Sequence, residues 1–288
     1  MTHNAIQLPV LYAERGLSNC GQQPVLCTYI LDSCAFNADR ARPIVIICPG
    51  GGYSHLSERE AESVAIQMNA LGMHAAVLRY SLAPMDFPCA MLDAATAMAY
   101  VRAHAQEWHV NPDALVLCGF SAGGHVAASL GCRWNSPLIQ QYLPYSAMQI
   151  KPDALLLCYP VITAQKPFCH EGSVRGGLGR NCAGKFELFS LENLVNADVP
   201  PVFMWHTNED AAVPAENSLL FAAALRRQSV PLEYHLFSTG RHGLALATAE
   251  SSDSAGTYVN AQCAVWPQLF AQWWRALSST QRPSPCQA

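Results

Sequence analysis

The sequence predicts an α/β protein with a doubly wound, mostly parallel β-sheet that is covered by helices on both faces. Hydrophobic residues make up 51% of the chain and charged residues only 13%, a balance typical of strands buried on both faces. Short apolar runs alternate with helical stretches, and this alternation indicates parallel strands joined by right-handed crossovers. We therefore expect a single α/β domain over residues 1–288.

Each predicted element has a recognisable signal. Short runs rich in Val, Ile and Leu predict strands at 44–48, 75–80, 114–118, 154–159, 202–206 and 232–237. Segments 5–12 and 24–30 are joined by a loop too short for a crossover helix, so they predict an antiparallel pair at the N-terminal edge of the sheet. Good helix formers predict helices at 57–71, 89–104, 122–131, 215–228 and 261–277, the first with a capping box made by Ser57 and Glu60.

One segment interrupts this pattern. Residues 165–196 are rich in Gly, Pro and Arg, and the segment is longer than an ordinary connection. We expect it to be an excursion, or lid, near the active site. The alternative is a poorly ordered surface loop.

Composition excludes several classes of partner. A net charge of −4 and a pI near 6.2 provide no basic face for nucleic acid or an anionic membrane. No apolar stretch approaches the roughly 20 residues that span a bilayer. The 12 cysteines are dispersed, without a leader over 1–10, and this favours a reducing cytoplasm in which Cys48, Cys118 and Cys158 pack as small hydrophobic residues.

No cofactor or metal is expected. The ten histidines contain no His-Glu-x-x-His string, and the cysteines contain no Cys-x-x-Cys pair. The glycines of 50–52 are not followed by Gly-Lys-Ser/Thr, and this disfavours a phosphate loop that binds a nucleotide. The sequence carries no signal for an oligomeric state.

Residues 119–124 read Gly-Phe-Ser-Ala-Gly-Gly and lie between a predicted strand and a predicted helix. This context is typical of a nucleophile elbow with Ser121 at its apex. Gly119 and Gly123 supply the small residues that such a sharp turn needs. The alternative interpretation is an ordinary glycine-rich turn.

A nucleophilic serine needs a histidine base, and the histidine needs a carboxylate to orient it. In doubly wound hydrolases these follow in the order Ser, acid, His, on loops after later strands. Asp210 follows the predicted strand 202–206, and His242 follows the predicted strand 232–237. Glu209 is a competing candidate for the acid. The alternative interpretation of Asp210 is an aspartate that caps the helix after Pro214 and has no catalytic role.

The other histidines fit a catalytic base less well. His206 and His235 lie within strand patterns, where a hydrogen-bonded core or sheet-face histidine is the default, and His125 lies in the helix after the serine. His104 and His109 flank the end of a predicted helix, where a histidine side chain stabilises the helix by interacting with its dipole. His242 is therefore the predicted base.

A serine mechanism also needs donors for the negative oxygen of the tetrahedral intermediate. Glycine amides approach a ligand closely because no side chain intervenes. We assign the donors to the N–H groups of Gly51, Gly52 and Ala122, which follow the first buried strand and the serine.

Taken together, five motifs resemble the α/β-hydrolase fold of the acetyl esterase/lipase type, in the branch of carbohydrate acetyl esterases and acetylxylan-esterase-like proteins. The resemblance runs over about 44–276, and its motifs are PGGGY at 49–53, RYSLAP at 79–84, GFSAGGH at 119–125, HTNEDAAVP at 206–214 and GRHGL at 240–244. Pro49 stands where the lipase branch has histidine, and this departure favours the carbohydrate esterase branch.

The resemblance implies a serine carboxylesterase that removes short acyl groups, acetyl above all, from small alcohol or sugar esters, with Ser121, Asp210 and His242 as its triad. Formamidases and dipeptidase-like hydrolases share the pattern, so an amidase or formamidase is the alternative. A third hypothesis is a non-catalytic binding protein with the same fold, although such proteins usually lose the serine or the histidine.

Overall fold

Eight β-strands form one sheet in the computed structural model, which describes residues 1–38, 40–179 and 186–280. In chain order they are β1 Thr2–Gln7, β2 Val25–Ile30, β3 Arg42–Cys48, β4 His74–Arg79, β5 Val110–Phe120, β6 Ala154–Cys158, β7 Val202–Thr207 and β8 Leu232–Phe237. The predicted runs coincide with β3 to β8 to within a few residues. The largest difference is at β5, which begins at Val110 because polar residues continue the extended backbone before the apolar run.

The strand order across the sheet is β1-β2-β4-β3-β5-β6-β7-β8. β1 pairs antiparallel with β2, and β2 pairs antiparallel with β4. All other neighbours are parallel. The predicted fold class, including the antiparallel N-terminal edge, is therefore confirmed.

The helices fill the connections between the parallel strands. They are α1 Glu62–Ala70, α2 Cys89–Ala103, α3 Ala122–Arg133, α4 Pro137–Gln140, α5 Ala147–Ile150, α6 Glu171–Leu178, α7 Glu216–Arg227 and α8 Trp266–Thr280. The five predicted helices correspond to α1, α2, α3, α7 and α8. The other three lack a prediction because α4 and α5 are too short to show helical periodicity and α6 is rich in glycine.

Both faces of the sheet are buried. Side chains alternate along each strand, so Ile44 and Ile46 of β3 belong to a core shared with α2, α3 and α7. Val45 and Ile47 belong to a second core, which contains residues of α1 and α8. This two-sided burial is the reason that the strands read as continuous apolar runs.

The predicted capping box at the start of the first helix is wrong. Ser57 makes no side-chain capping bond, and Glu58–Glu60 form a 3₁₀ turn before α1 begins at Glu62. The carboxylate of Glu60 accepts its hydrogen bonds from Gly50 and Tyr159 instead. A long-range contact has replaced the local one.

The predicted excursion at 165–196 contains α6 and two 3₁₀ turns, Phe186–Leu188 and Leu191–Asn193. Residues 180–185 of this segment lie outside the described residues, as does the C-terminal stretch 281–288. Within the part of the chain that the structure describes, no helix is both long enough and apolar enough to cross a bilayer.

Candidate active site

Ser121 lies at a sharp turn between β5 and α3, as the sequence predicts. Its φ of 53° and ψ of −119° are unusual for a residue with a side chain. A Cβ atom on Gly119 would lie 2.2 Å from the carbonyl oxygen of Gly123, and one on Gly123 would lie 2.0 Å from the carbonyl oxygen of Cys48. Only glycine fits at either position, so this backbone geometry depends on both glycines.

The structure brings together the three side chains that the sequence singles out. Ser121 Oγ lies 2.7 Å from His242 Nε2, and His242 Nδ1 lies 2.6 Å from Asp210 Oδ2. Asp210 follows β7 and His242 follows β8, so both loops leave the sheet at the carboxyl ends of parallel strands. Since a carboxylate only accepts, Nδ1 of His242 carries the proton and Nε2 is the acceptor for the serine hydroxyl.

The carboxylate of Asp210 is fully buried and fully hydrogen-bonded. Oδ1 accepts the N–H groups of Ala212 and Val213 at 3.0 and 2.9 Å, and Oδ2 faces two imidazoles, those of His242 and His206. Burial by itself raises the pKa of a carboxyl. Here the hydrogen bonds from His206 and His242 outweigh it and hold the pKa of Asp210 below its usual value.

His206 is a contact of Asp210 that the sequence does not predict. It is buried at the end of β7, with Nε2 2.9 Å from the carbonyl oxygen of Val213 and 3.2 Å from Asp210 Oδ2. Both neighbours are acceptors, so Nε2 carries a proton, while Nδ1 accepts from the hydroxyl of Ser218 at 2.7 Å. The sequence interpretation of a satisfied core histidine is correct, but one of its partners is the site carboxylate.

The competing candidates lie in other surroundings. Glu209 Oε2 accepts the N–H of Gly240 at 3.1 Å near the surface and makes no contact with His242 among the described residues. His125 is buried, with its ring nitrogens 2.7 Å from the hydroxyl of Tyr53 and 3.0 Å from the carbonyl oxygen of Phe189. Burial lowers the pKa of His125 to about 3, which keeps this imidazole neutral.

The glycine loop after β3 lies beside the serine. Gly51 has a φ of +122°, and a Cβ atom there would lie 2.1 Å from the carbonyl oxygen of His55, so the turn depends on glycine. Among the described residues, the N–H groups of Gly51, Gly52 and Ala122 have no intramolecular acceptor. Gly51 and Gly52 line the same cleft as Ser121.

Glu60 connects this glycine loop to the histidine loop. Its buried carboxylate accepts the N–H of Gly50 at 2.7 Å on one oxygen and the hydroxyl of Tyr159 at 2.8 Å on the other. The oxygen of Tyr159 in turn accepts the N–H of Ala245 at 2.9 Å, and its ring lies edge-on to that of His242. A single buried carboxylate therefore holds both loops that flank Ser121.

The cleft above Ser121 encloses about 470 Å³. Its polar lining includes His170 and Gly172, which belong to the 165–196 segment. Ser173 donates its N–H to Nδ1 of His170 at 3.1 Å. Burial and the nearby His242 both lower the pKa of His170, so it is a neutral lining residue.

Among residues 1–38, 40–179 and 186–280, no group of three or more His, Cys, Asp or Glu side chains is arranged to hold a metal ion.

Comparisons with known proteins identify the family of this chain. The BD-FAE family model matches residues 34–225. Endo-1,4-beta-xylanase B of Butyrivibrio fibrisolvens is 37% identical over 230 residues, which are 77% of this chain and 36% of that protein. The acetylxylan esterase of Xylanibacter ruminicola is 29% identical over 210 residues, which are 71% of this chain and 41% of that protein. The chain thus spans less than half the length of these two curated relatives.

Solved structures match over nearly the full chain. The carboxylesterase Cest-2923 of Lactobacillus plantarum is 31% identical with a TM-score of 0.84, and the match covers 96% of this chain and 98% of that one. The acetyl ester-xyloside bifunctional hydrolase of Caldicellulosiruptor lactoaceticus is 36% identical with a TM-score of 0.77, covering 90% and 89%. The predicted resemblance to carbohydrate acetyl esterases is confirmed. The chain belongs to the BD-FAE family and has the α/β-hydrolase fold.

Proposed function

We propose that the protein is a serine carboxylesterase that removes short acyl groups, acetyl above all, from small alcohol or sugar esters through an acyl-enzyme intermediate. One observation carries the proposal. The hydroxyl, imidazole and carboxylate of Ser121, His242 and Asp210 form a continuous hydrogen-bonded chain, with contacts of 2.7 and 2.6 Å. That chain opens on a cleft large enough for a small ester.

Each residue has one task in this mechanism. His242 Nε2 accepts the hydroxyl proton as Ser121 Oγ attacks the ester carbonyl, and Asp210 stabilises the imidazolium that results. The N–H groups of Gly51, Gly52 and Ala122 donate to the negative oxygen of the tetrahedral intermediate. His242 then protonates the leaving alcohol. A water molecule, activated by the same imidazole, releases the acid from Ser121.

The 165–196 segment is part of this proposal as a lid over the alcohol- and acyl-binding cleft. Support comes from His170 and Gly172, which line the cleft with Ser121.

We also assign the protein to a reducing compartment, the cytoplasm. The thiols of Cys48, Cys118 and Cys158 are free and buried, and they pack in the core in the way small hydrophobic residues do.

A substrate panel and a covalent probe test the proposed activity. The panel compares p-nitrophenyl acetate, an acetylated methyl xyloside and an aryl formamide, and a fluorophosphonate labels the nucleophile. We expect acetyl esters to be hydrolysed at least about tenfold faster than the formamide, since an amine is the poorer leaving group for His242 to protonate. Peptide mapping should find the label on Ser121 rather than on Ser54, which lines the same cleft.

The outcomes distinguish the alternatives. Faster hydrolysis of the formamide would assign the site to an amidase. Absence of both labelling and turnover would mean that the fold serves only to bind a ligand.

Glu60→Gln is expected to lower kcat by about 10- to 100-fold with a smaller change in KM. Both partners of this carboxylate are donors, Gly50 N–H and Tyr159 O–H, and a glutamine presents an NH₂ group to one of them. The glycine loop then loses the position that aims its amides at the oxyanion. Steady-state kinetics should show this kcat effect in Glu60→Gln but not in Glu62→Gln, whose side chain is exposed on the adjoining helix. Equal kinetics for the two variants would refute a positioning role for Glu60.

A further inference from the structure

Two arginines flank one aromatic ring in the active-site cleft. The guanidinium carbon of Arg59 lies 3.6 Å from the ring centroid of Tyr258, and that of Arg241 lies 4.8 Å from it. All three residues line the cleft that contains Ser121. Cation–π contacts of this kind hold guanidinium groups in place while leaving their N–H edges available. The two cations are therefore positioned before any ligand arrives.

Neither guanidinium forms an ion pair with a carboxylate within the described residues. Asp253 interacts with Arg241 only through its charge, as one of the smaller causes that lower the pKa of Asp253. The carboxylates nearest in the site are engaged elsewhere. Glu60 accepts from Gly50 and Tyr159, and Asp210 faces two imidazoles. Neither carboxylate of the site therefore pairs directly with a guanidinium group of Arg59 or Arg241, and both groups keep N–H donors for a ligand.

The position of the arginines identifies which half of the substrate they face. A guanidinium nitrogen of Arg59 lies 3.1 Å from where a Cβ atom on Gly243 would be, and Arg241 directly precedes His242. Both arginines are therefore on the histidine side of the cleft. Because His242 must protonate the leaving oxygen, the alcohol part of the ester lies on this side.

We propose that Arg59 and Arg241 bind an anionic group on the alcohol part of the substrate, so that the preferred substrate is an acyl ester of a sugar acid or a sugar phosphate. Guanidinium groups present paired N–H donors that match the oxygens of a carboxylate or a phosphate. This inference rests on the proposed esterase function. It adds a charge requirement that a neutral acetylated sugar does not meet.

The test compares kcat/KM within matched substrate pairs. One pair is O-acetyl glucuronic acid and its primary amide, which has nearly the same size but no charge and no second ester bond, and the other is O-acetyl glucose 6-phosphate and O-acetyl glucose. We expect the anionic member to be preferred by about tenfold or more, and the preference to fall as ionic strength rises. The pair with the larger ratio shows whether a carboxylate or a phosphate is the natural group.

Variants attribute the preference to the two arginines. The Arg59→Gln/Arg241→Gln double variant should bring both ratios close to one, whereas Arg226→Gln, an exposed arginine of α7, should keep the wild-type ratios. Each ratio is measured within one variant, so a partial loss of folded protein does not alter it. A wild-type ratio of one or less, or a ratio unchanged in the double variant, overturns the proposal. Should the wild type hydrolyse neutral p-nitrophenyl acetate in that case, the esterase function stands and only the charge requirement fails.

Discussion

Replacing Ser121 with alanine is expected to lower kcat for p-nitrophenyl acetate by about 10⁴- to 10⁶-fold. His242→Ala should cause a loss of the same order, because the hydroxyl and the imidazole act as one unit through their 2.7 Å contact. The double variant should be no slower than either single variant. The residual rate above that of water is expected to come from the amides of Gly51, Gly52 and Ala122.

The measurement is steady-state turnover of purified variants whose thermal unfolding midpoints have been compared with that of the wild type. Ser57→Ala is the matched control, since Ser57 lines the same cleft without contacting His242 in the part of the chain described. We expect it to keep kcat within about tenfold. Losses that multiply in the double variant would show that the serine and the histidine act independently, against the proposed mechanism.

Much of the fold is predictable because its signals are local. The apolar runs of β3 to β7 are short, and most residues on both faces of these strands are buried, so these strands read as continuous hydrophobic segments. β6 ends one residue before the predicted run because Tyr159 has a φ of 38° and its hydroxyl turns toward Glu60. That ending depends on a contact with a residue 99 positions away, which no local pattern contains.

The same distinction explains what was missed around the site. Ser57 and Glu60 have the spacing of a capping box, but burial beside Gly50 and Tyr159 gives the carboxylate two donors in the protein interior. His206 could have been linked to Asp210 from its position at the end of a strand, four residues before the acid. Its strand pattern alone indicates only a buried histidine.

α6 was missed for a related reason. Its sequence, Glu171–Leu178, contains three glycines and has weak helix propensity. The helix forms because Val174 and Leu178 are buried in the core beneath it and the imidazole of His170 accepts the N–H of Ser173 at its start. Tertiary packing has overridden propensity, as it does in most short helices.

Asp210→Asn is expected to lower kcat by about 10⁴-fold while leaving KM nearly unchanged. The four partners that the described residues give this carboxylate are all donors, the N–H groups of Ala212 and Val213 on one oxygen and the imidazoles of His206 and His242 on the other. An asparagine that keeps the two backbone bonds must turn its NH₂ group toward His242. The imidazole then accepts on Nδ1 and carries its proton on Nε2, where it no longer accepts the hydroxyl proton of Ser121.

Glu209→Gln is the matched control, because it removes the neighbouring carboxylate by the same isosteric change. Among the described residues, the hydrogen bond of the Glu209 side chain is the one that it accepts from Gly240 N–H near the surface, and a glutamine keeps that acceptor, so kcat should stay within about threefold of the wild type. Since the hydrogen bonds from both imidazoles hold the pKa of Asp210 below its usual value, its charge persists at mildly acidic pH. The factor by which kcat of Asp210→Asn falls below kcat of Glu209→Gln should therefore be as large at pH 6 as at pH 8. A large loss in Glu209→Gln with a small one in Asp210→Asn would transfer the role of the acid to Glu209.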